Sequence, residues 1–266
     1  MTPADPYAAP KSLVADSSDD AGPGEYVPGG QPVPAGAGVD WYREGWRLFK
    51  LQPGMWVGVM VVFMVIFMVL GLLPFAGGVA TMLLSPVFTA GLMLGCRELD
   101  NGGELELAHL FAAFKDKPGP LVAVGAIYLG AWVAIFLVVF LVAGASIGVM
   151  FAAGGIGADK AALGAGAIIG IVLAVLVAIA LSIPAVMAVW FAAPLIVFHD
   201  VEPMEAMKSS FRGCMKNWVA FLVYGLVGMV LAIPATLPLF LGWLVFVPVI
   251  AASYYAGYRS IFVRPA

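Results

Sequence analysis

Charged side chains are absent from four long stretches of this 266-residue chain, over residues 51–96, 118–158, 161–198 and 217–258. Charged residues make up only 11% of the sequence and hydrophobic residues 62%, whereas an average soluble domain carries about 25% charged residues. A water-soluble fold of this length needs a larger polar surface than so few charges supply. The composition therefore excludes a soluble protein and indicates a polytopic membrane protein.

The missing intramembrane charge also excludes classes of function. Ion-coupled transporters and voltage sensors use Asp, Glu, Arg or His inside the membrane, and the charge-free stretches contain none of these. Residues 144–148 fit the G-x-S-x-G pattern around a nucleophilic Ser146, but His109 and His199 lie at the opposite membrane boundary. A serine with no base in reach is not activated, so we expect no catalytic residue and no enzymatic activity.

Cysteine is scarce as well, and Cys96 and Cys214 both lie beside basic loops. Free thiols in a reducing compartment are therefore expected rather than a disulfide. Acidic residues lie near both histidines, as Asp200 does beside His199, yet their spacing specifies no metal site. We expect no metal, no cofactor and no nucleic-acid partner.

The charge-free stretches have the lengths of six membrane-spanning helices, which predicts an all-α fold. A helix that crosses about 30 Å of hydrocarbon needs about 20 residues, so the first and last stretches each hold two. The predicted spans are 55–74, 79–96, 119–150, 163–198, 217–234 and 239–259. The middle two are too long for a simple crossing, and they tilt, project beyond the bilayer, or break at Pro184 and Pro194.

Basic residues are distributed unevenly between the segments that connect these helices. Twelve of the 13 Lys and Arg residues fall in residues 1–50, 97–117 and 199–216 or at the C-terminus, and only Lys160 lies opposite. Segments with an excess of Lys and Arg stay in the cytoplasm. We therefore expect a bacterial inner-membrane protein with both termini in the cytoplasm.

Three amphipathic segments, each with an aromatic residue followed by a base, precede the odd-numbered spans. The pairs are Phe49-Lys50, Phe114-Lys115 and Phe211-Arg212. The interval from Phe49 to Pro86 is 37 residues, and the interval from Phe211 to Pro248 is the same. We infer three repeats, each an interfacial amphipathic helix followed by a transmembrane hairpin, with the middle repeat enlarged.

The first and third amphipathic segments present bases at the predicted membrane surface. The six candidates for contact with lipid headgroups or a partner are Arg43, Arg47, Lys50, Lys208, Arg212 and Lys216. In the first segment, Tyr42, Trp46 and Phe49 form a neighbouring apolar face at helical spacing. Bases at headgroup level are attracted to anionic lipid by about 1 kcal/mol each. Simple anchoring of the topology is the alternative interpretation.

The N-terminal residues 1–38 have a different composition from the rest of the chain. They hold five acids and one base and are rich in Pro, Gly and Ala. So little apolar surface does not offset the entropy of ordering. The sequence therefore predicts a disordered acidic cytoplasmic tail over 1–38 and a transmembrane domain over 39–266.

Several motifs in the second half of the chain carry a resemblance to a known family. They are Trp190-Phe191-Ala192-Ala193-Pro194-Leu195-Ile196, Glu205-Ala206-Met207-Lys208-Ser209-Ser210-Phe211-Arg212, and Asn217-Trp218 followed by Phe221-Leu222-Val223-Tyr224-Gly225. Over about residues 39–262 the chain resembles a family of uncharacterised multi-pass inner-membrane proteins of proteobacteria. More distantly it is similar to the membrane domain attached to some glycerophosphodiester phosphodiesterases, although this chain has no soluble hydrolase domain. The resemblance implies a lipid-related setting and no specific activity.

These observations predict a non-enzymatic inner-membrane protein with a scaffold, assembly or lipid-interaction role. The expected partners are the lipid bilayer and its anionic headgroups, together with a second copy of the chain or another membrane protein. Small-residue pairs such as Gly91-xxx-Gly95 suit close helix packing in either case. The alternative is a small permease for a neutral solute or lipid that is not coupled to ions.

Overall fold

The computed structural model describes residues 24–154 and 160–264. Within these ranges the chain forms ten helices and one pair of two-residue strands. The helices are α1 (Ala37–Leu51), α2 (Pro53–Gly71), α3 (Ala76–Asp100), α4 (His109–Asp116), α5 (Pro118–Gly154), α6 (Lys160–Trp190), α7 (Ala192–His199), α8 (Pro203–Lys216), α9 (Trp218–Thr236) and α10 (Trp243–Phe262). Strand β1 (Glu25–Tyr26) pairs antiparallel with β2 (Val263–Arg264).

Six segments of the described chain are long and apolar enough to cross a membrane, which confirms the predicted all-α architecture with six spans. They are Pro53–Gly71, Ala76–Asp100, Pro118–Ala145, Ile168–His199, Trp218–Thr236 and Trp243–Phe262. Helices satisfy their own backbone hydrogen bonds, which lipid tails cannot do. The ends of the first two and last two spans along the chain, α2, α3, α9 and α10, agree with the predicted ends to within four residues.

Helices α3 and α10 form the centre of the bundle. Half of the apolar part of α3 and 56% of that of α10 are buried, against 17% or less in the other four spans. Pro86 and Pro248 are buried inside these two central helices. The outer helices expose large apolar side chains such as Phe140 and Ile169, as expected for surfaces that contact lipid tails.

Each of the three amphipathic helices precedes a pair of long helical segments. Helix α1 comes before α2 and α3, α4 comes before α5 and α6, and α8 comes before α9 and α10. The relation of these three units as repeats stays a prediction.

The break in the middle pair of spans lies at Phe191, between α6 and α7. Helix α6 passes through Pro184 without interruption. Pro194 has no N–H to donate to the carbonyl of Trp190 four residues earlier, and the Tyr254 hydroxyl donates to that carbonyl instead. Of the two predicted breaks, the one at Pro194 is therefore correct in position to within three residues, and the one at Pro184 is wrong.

The Ser210 hydroxyl of α8 completes the hydrogen bonding at this break. The Phe191 N–H donates to Ser210 Oγ at 2.9 Å, and Ser210 Oγ donates to the Met187 carbonyl at 2.7 Å. In a continuous helix the Phe191 N–H would donate directly to the Met187 carbonyl, four residues earlier. Here the Ser210 hydroxyl lies between these two groups. A side chain inserted in this way is a recognised cause of a sharp kink.

Residues 24–36, named the strap below, cross the end of the bundle beside the C-terminus of α10. The N–H groups of Val27 and Gln31 donate to the carbonyls of Phe262 (2.9 Å) and Ile261 (2.8 Å). Further bonds to α8 and its C-cap join Gly29 N–H to Ser209 Oγ (2.8 Å), Val33 N–H to Asn217 Oδ1 (2.7 Å) and Lys216 Nζ to the Gly30 carbonyl (2.8 Å).

The prediction of a disordered tail is therefore wrong for residues 24–38. Its premise was that a segment poor in apolar residues gains too little from burial to become ordered. The N–H groups of the strap are held mainly by hydrogen bonds to residues 180 or more positions away in the sequence, which composition does not reveal. Residues 1–23 lie outside the described ranges.

Helix α1 packs against α9 and α10, so that protein rather than lipid covers most of its apolar face. Trp41, Tyr42 and Phe49 are buried, and Tyr42 stacks on Tyr224 with ring centroids 4.5 Å apart. Trp46 is 46% exposed. Trp46 stacks on Phe49 with ring centroids 5.4 Å apart. Of the predicted apolar face, Tyr42 and Phe49 are covered by protein, and Trp46 is the exposed member.

Candidate functional site

The three predicted bases of α1 lie on the exposed side of that helix. Arg43 pairs with Asp40 at 2.9 Å, and Arg47 Nε donates to Glu44 at 2.9 Å. Lys50 is exposed and forms no ion pair with the residues that the structure describes. Exposed pairs of this kind contribute about 0–1 kcal/mol, so Arg43 and Lys50 stay available to an external anion, whereas Arg47 also pairs with Asp100.

Two of the three predicted bases of α8 lie near an acid, and the third donates to a backbone carbonyl. Lys208 and Arg212 both approach Glu205, at 3.6 Å and 3.8 Å. Both side chains are more than half exposed. Lys216 is instead committed to the structure, because its ammonium group donates to the Gly30 carbonyl of the strap.

A polar cleft of about 1040 Å³ opens at the end of the bundle that carries α1, the strap and the C-terminal ends of α3, α7 and α10. Small-molecule sites usually measure about 300–1,000 Å³, so this cleft is large enough for a ligand of moderate size. Its charged lining consists of Asp40, Glu44, Arg97, Glu98, Asp100 and Arg259. These residues come from α1, α3 and α10.

Asp100 is the central charge of the cleft. Its two carboxylate oxygens accept from Arg47 of α1 and Arg259 of α10, and its side chain is only 10% exposed. Hydrogen bonds to Glu44 and, more weakly, to Asp100 raise the pKa of Arg47 above its ordinary value against the opposing effect of burial. The carboxylate therefore links three helices through two permanently charged guanidinium groups.

Aromatic residues form the wall of the cleft beside α7. The Arg97 guanidinium lies 4.6 Å from the centroid of the Phe198 ring. The next residue, His199, forms a hydrogen bond of 2.5 Å between Nε2 and the Tyr258 hydroxyl. The strap completes this wall, because the ring of Tyr26 stacks on His199 at a centroid distance of 4.5 Å.

Sequence reasoning missed Arg97, Asp100 and Arg259 as a group, although one signal was available. Arg97 follows Pro86 by 11 residues, and Arg259 follows Pro248 by the same 11 residues. The structure places both arginines at the same end of the two central helices, where they line the cleft together with Asp100. No pattern in the sequence pointed to Asp100, because its partners lie 53 and 159 positions away.

The other sequence candidates occupy separate places. Asp200 pairs with Lys117 and not with His199, and no group of three metal-ligating side chains occurs among the described residues. Cys96 and Cys214 are free thiols and both are buried. The side chain of Ser146 lies outside the described part of the chain.

Six apolar spans around a core of α3 and α10 define an α-helical multi-pass membrane protein. The chain is 32% identical to a probable inner membrane protein of Burkholderia thailandensis over 207 residues, which cover 76% of this chain and 75% of the relative. This chain belongs to the family of that inner membrane protein. No family model matches the sequence, and no solved structure matches it either.

Proposed function

We propose that the end of the bundle with the polar cleft faces the cytoplasm, together with both termini. The uneven distribution of Lys and Arg supports this orientation, because Lys160 alone lies between α5 and α6 while the other 12 bases fall elsewhere. The strap and the last residues of α10 lie together at one end, as two termini on one side of a membrane must.

The proposed role is a non-enzymatic one, in which the protein interacts with lipid headgroups or supports a membrane assembly from the cytoplasmic surface. The observation that carries it is the polar cleft, which is rimmed by exposed bases of α1 at one end of an otherwise apolar bundle. Anionic headgroups attract such bases by about 1 kcal/mol each. The distant resemblance to the membrane domain of glycerophosphodiester phosphodiesterases supports the same lipid-related setting.

The alternative role, a permease for a neutral solute or lipid, receives less support. It depended on backbone groups freed where helices break, because such groups can bind a solute. At the break between α6 and α7, Ser210 occupies the Phe191 N–H and Tyr254 occupies the Trp190 carbonyl. The polar groups at this break are therefore committed to the protein itself.

Native mass spectrometry of the protein released from native lipid tests the proposed role. We expect retained anionic phospholipid or a stoichiometric membrane-protein partner. A variant with Arg43, Lys50, Lys208 and Arg212 all changed to Gln should retain less anionic lipid. Uptake of a neutral solute or lipid scrambling by reconstituted vesicles would contradict the proposal and favour the permease.

A further inference from the structure

Arg97 differs from the other two arginines around the cleft in having no acidic partner. Arg47 and Arg259 share the Asp100 carboxylate, whereas no ion pair forms between Arg97 and the part of the chain that the structure describes. Arg97 is only partly exposed, and its guanidinium carbon lies 4.6 Å from the centroid of the Phe198 ring. The guanidinium group carries five N–H donors and no acceptor, and none of these donors forms a hydrogen bond to the described residues.

Most of the acids around the cleft are engaged by bases other than Arg97. Arg47 and Arg259 share the Asp100 carboxylate, and Arg47 also engages Glu44. Asp40 at the rim is paired with Arg43 outside the cleft. Glu98 is the opposing charge, but it is exposed and therefore well screened.

Several uncharged polar groups of the cleft are already hydrogen-bonded within the protein. Ser260 Oγ accepts from the Trp41 indole N–H at 2.8 Å and donates to the Gly257 carbonyl at 3.0 Å. The Tyr258 hydroxyl and His199 bond to each other. The donors left for a ligand are those of Arg97, together with the Tyr255 hydroxyl and the exposed Asn101 amide, none of which is hydrogen-bonded to the described residues. A partly buried cation without an acceptor is costly.

We propose that Arg97 binds a phosphate group in the polar cleft, in the form of a phospholipid headgroup or a soluble phosphate ester. The planar guanidinium fork matches two oxygens of a phosphate, and Phe198 holds the fork in place from one side. The volume of the cleft leaves room for the ester substituent. This inference rests on the proposed function and names the chemistry of its ligand.

Two probes separate the two sources of the phosphate group. The full-length protein in phosphatidylcholine nanodiscs is titrated with sn-glycerol 3-phosphate by calorimetry, and phosphatidylglycerol adducts are counted by native mass spectrometry. We expect at least one probe to bind the wild type and Arg97→Gln to weaken that binding about tenfold or more. Arg97→Lys, which keeps the charge but not the fork, should recover part of the loss.

The matched control is Lys115→Gln, which removes an exposed base of α4 outside the cleft lining and should change binding less than about twofold. Glu98→Gln removes the opposing charge and should tighten binding about two- to threefold, a gain that misfolding cannot produce. Failure of both probes to bind the wild type, or equal binding by Arg97→Gln and the wild type, would overturn the inference. If Arg97→Gln retains lipid like the wild type while the fourfold Gln variant loses it, the proposed function stands without a phosphate site at Arg97.

Discussion

At the scale of single residues, Asp100 is the position where one carboxylate supports contacts from three helices. Replacing it with Asn leaves Arg47 and Arg259 beside each other with no negative charge between them. We expect Asp100→Asn to lower the free energy of unfolding by about 1–3 kcal/mol, measured as a lower Tm of the purified protein. The exposed pair of Asp40 with Arg43 provides the control, since Asp40→Asn should cost less than about 1 kcal/mol. Equal losses in the two variants would show that Asp100 is an ordinary surface charge.

The two thiols are a second case in which the local environment sets residue chemistry. Burial raises the pKa of Cys214 from its ordinary value to about 12, and the Cys96 side chain is fully buried. The thiolate is the reactive form, so neither cysteine should react with a maleimide at pH 8 in the native protein. Because the folded-state pKa is raised, the neutral thiol of Cys214 favours folding below about pH 9, and this contribution is lost as the pH rises toward 12. Labelling before and after denaturation, followed by mass spectrometry, checks the prediction, and rapid native labelling of either cysteine would refute it.

At the scale of elements, the break between α6 and α7 depends on a hydroxyl from α8. Ser210→Ala leaves the Phe191 N–H and the Met187 carbonyl without their bonds to the hydroxyl, and buried polar groups without partners cost about 1–3 kcal/mol. We expect a matching fall in Tm. Ser182→Ala is the control, because Ser182 bonds only to the carbonyl four residues earlier in its own helix. A loss as large in Ser182→Ala would mean that the break does not depend on Ser210.

A second prediction at the scale of elements concerns the strap. Its residue Gly30 has a φ of +70°. A Cβ at this position would lie 2.7 Å from Ile261 Cγ2 and 3.1 Å from Gly213 Cα. Gly30→Ala should therefore cost about 1–3 kcal/mol and speed proteolysis within residues 24–36. Gly36→Ala is the matched control, since a Cβ there meets nothing within 4 Å. Similar proteolysis of both variants would indicate that the strap does not need the close approach at Gly30.

The contrast between the spans and the strap shows what kind of structure a single sequence predicts. The spans were predictable because lack of charge over about 20 residues is a local property with one physical solution in lipid. The strap and the cleft depend on contacts between residues at least 53 positions apart, which leave no local pattern. The six predicted bases lie near the cleft or on α8. Asp100 had no signal in the sequence, and the signal for Arg97 was the 11-residue interval after Pro86 that Arg259 repeats after Pro248.

At the scale of the whole molecule, the cleft and the ion pairs between the described residues lie at one end of the bundle. The cleft, the strap and the three amphipathic helices lie at that end, whereas the connection between α2 and α3 exposes Phe75 and that between α9 and α10 exposes Leu239. Helix α5 adds to this asymmetry. Its 37 residues reach about 55 Å at 1.5 Å per residue, well beyond about 30 Å of hydrocarbon.

The whole-molecule prediction concerns the sides of the membrane on which the loops lie. From six spans and the distribution of bases we expect the C-terminus in the cytoplasm and residue 155 in the periplasm. Alkaline phosphatase fused after Gly155 should be active, while a fluorescent protein fused after Ala266 should fluoresce, because each reporter works on only one side. A phosphatase fusion after Lys117 is the control and should be inactive. Reporters at Gly155 and Ala266 on the same side would contradict the six-span topology, and the cleft would then face the wrong compartment for the proposed cytoplasmic role.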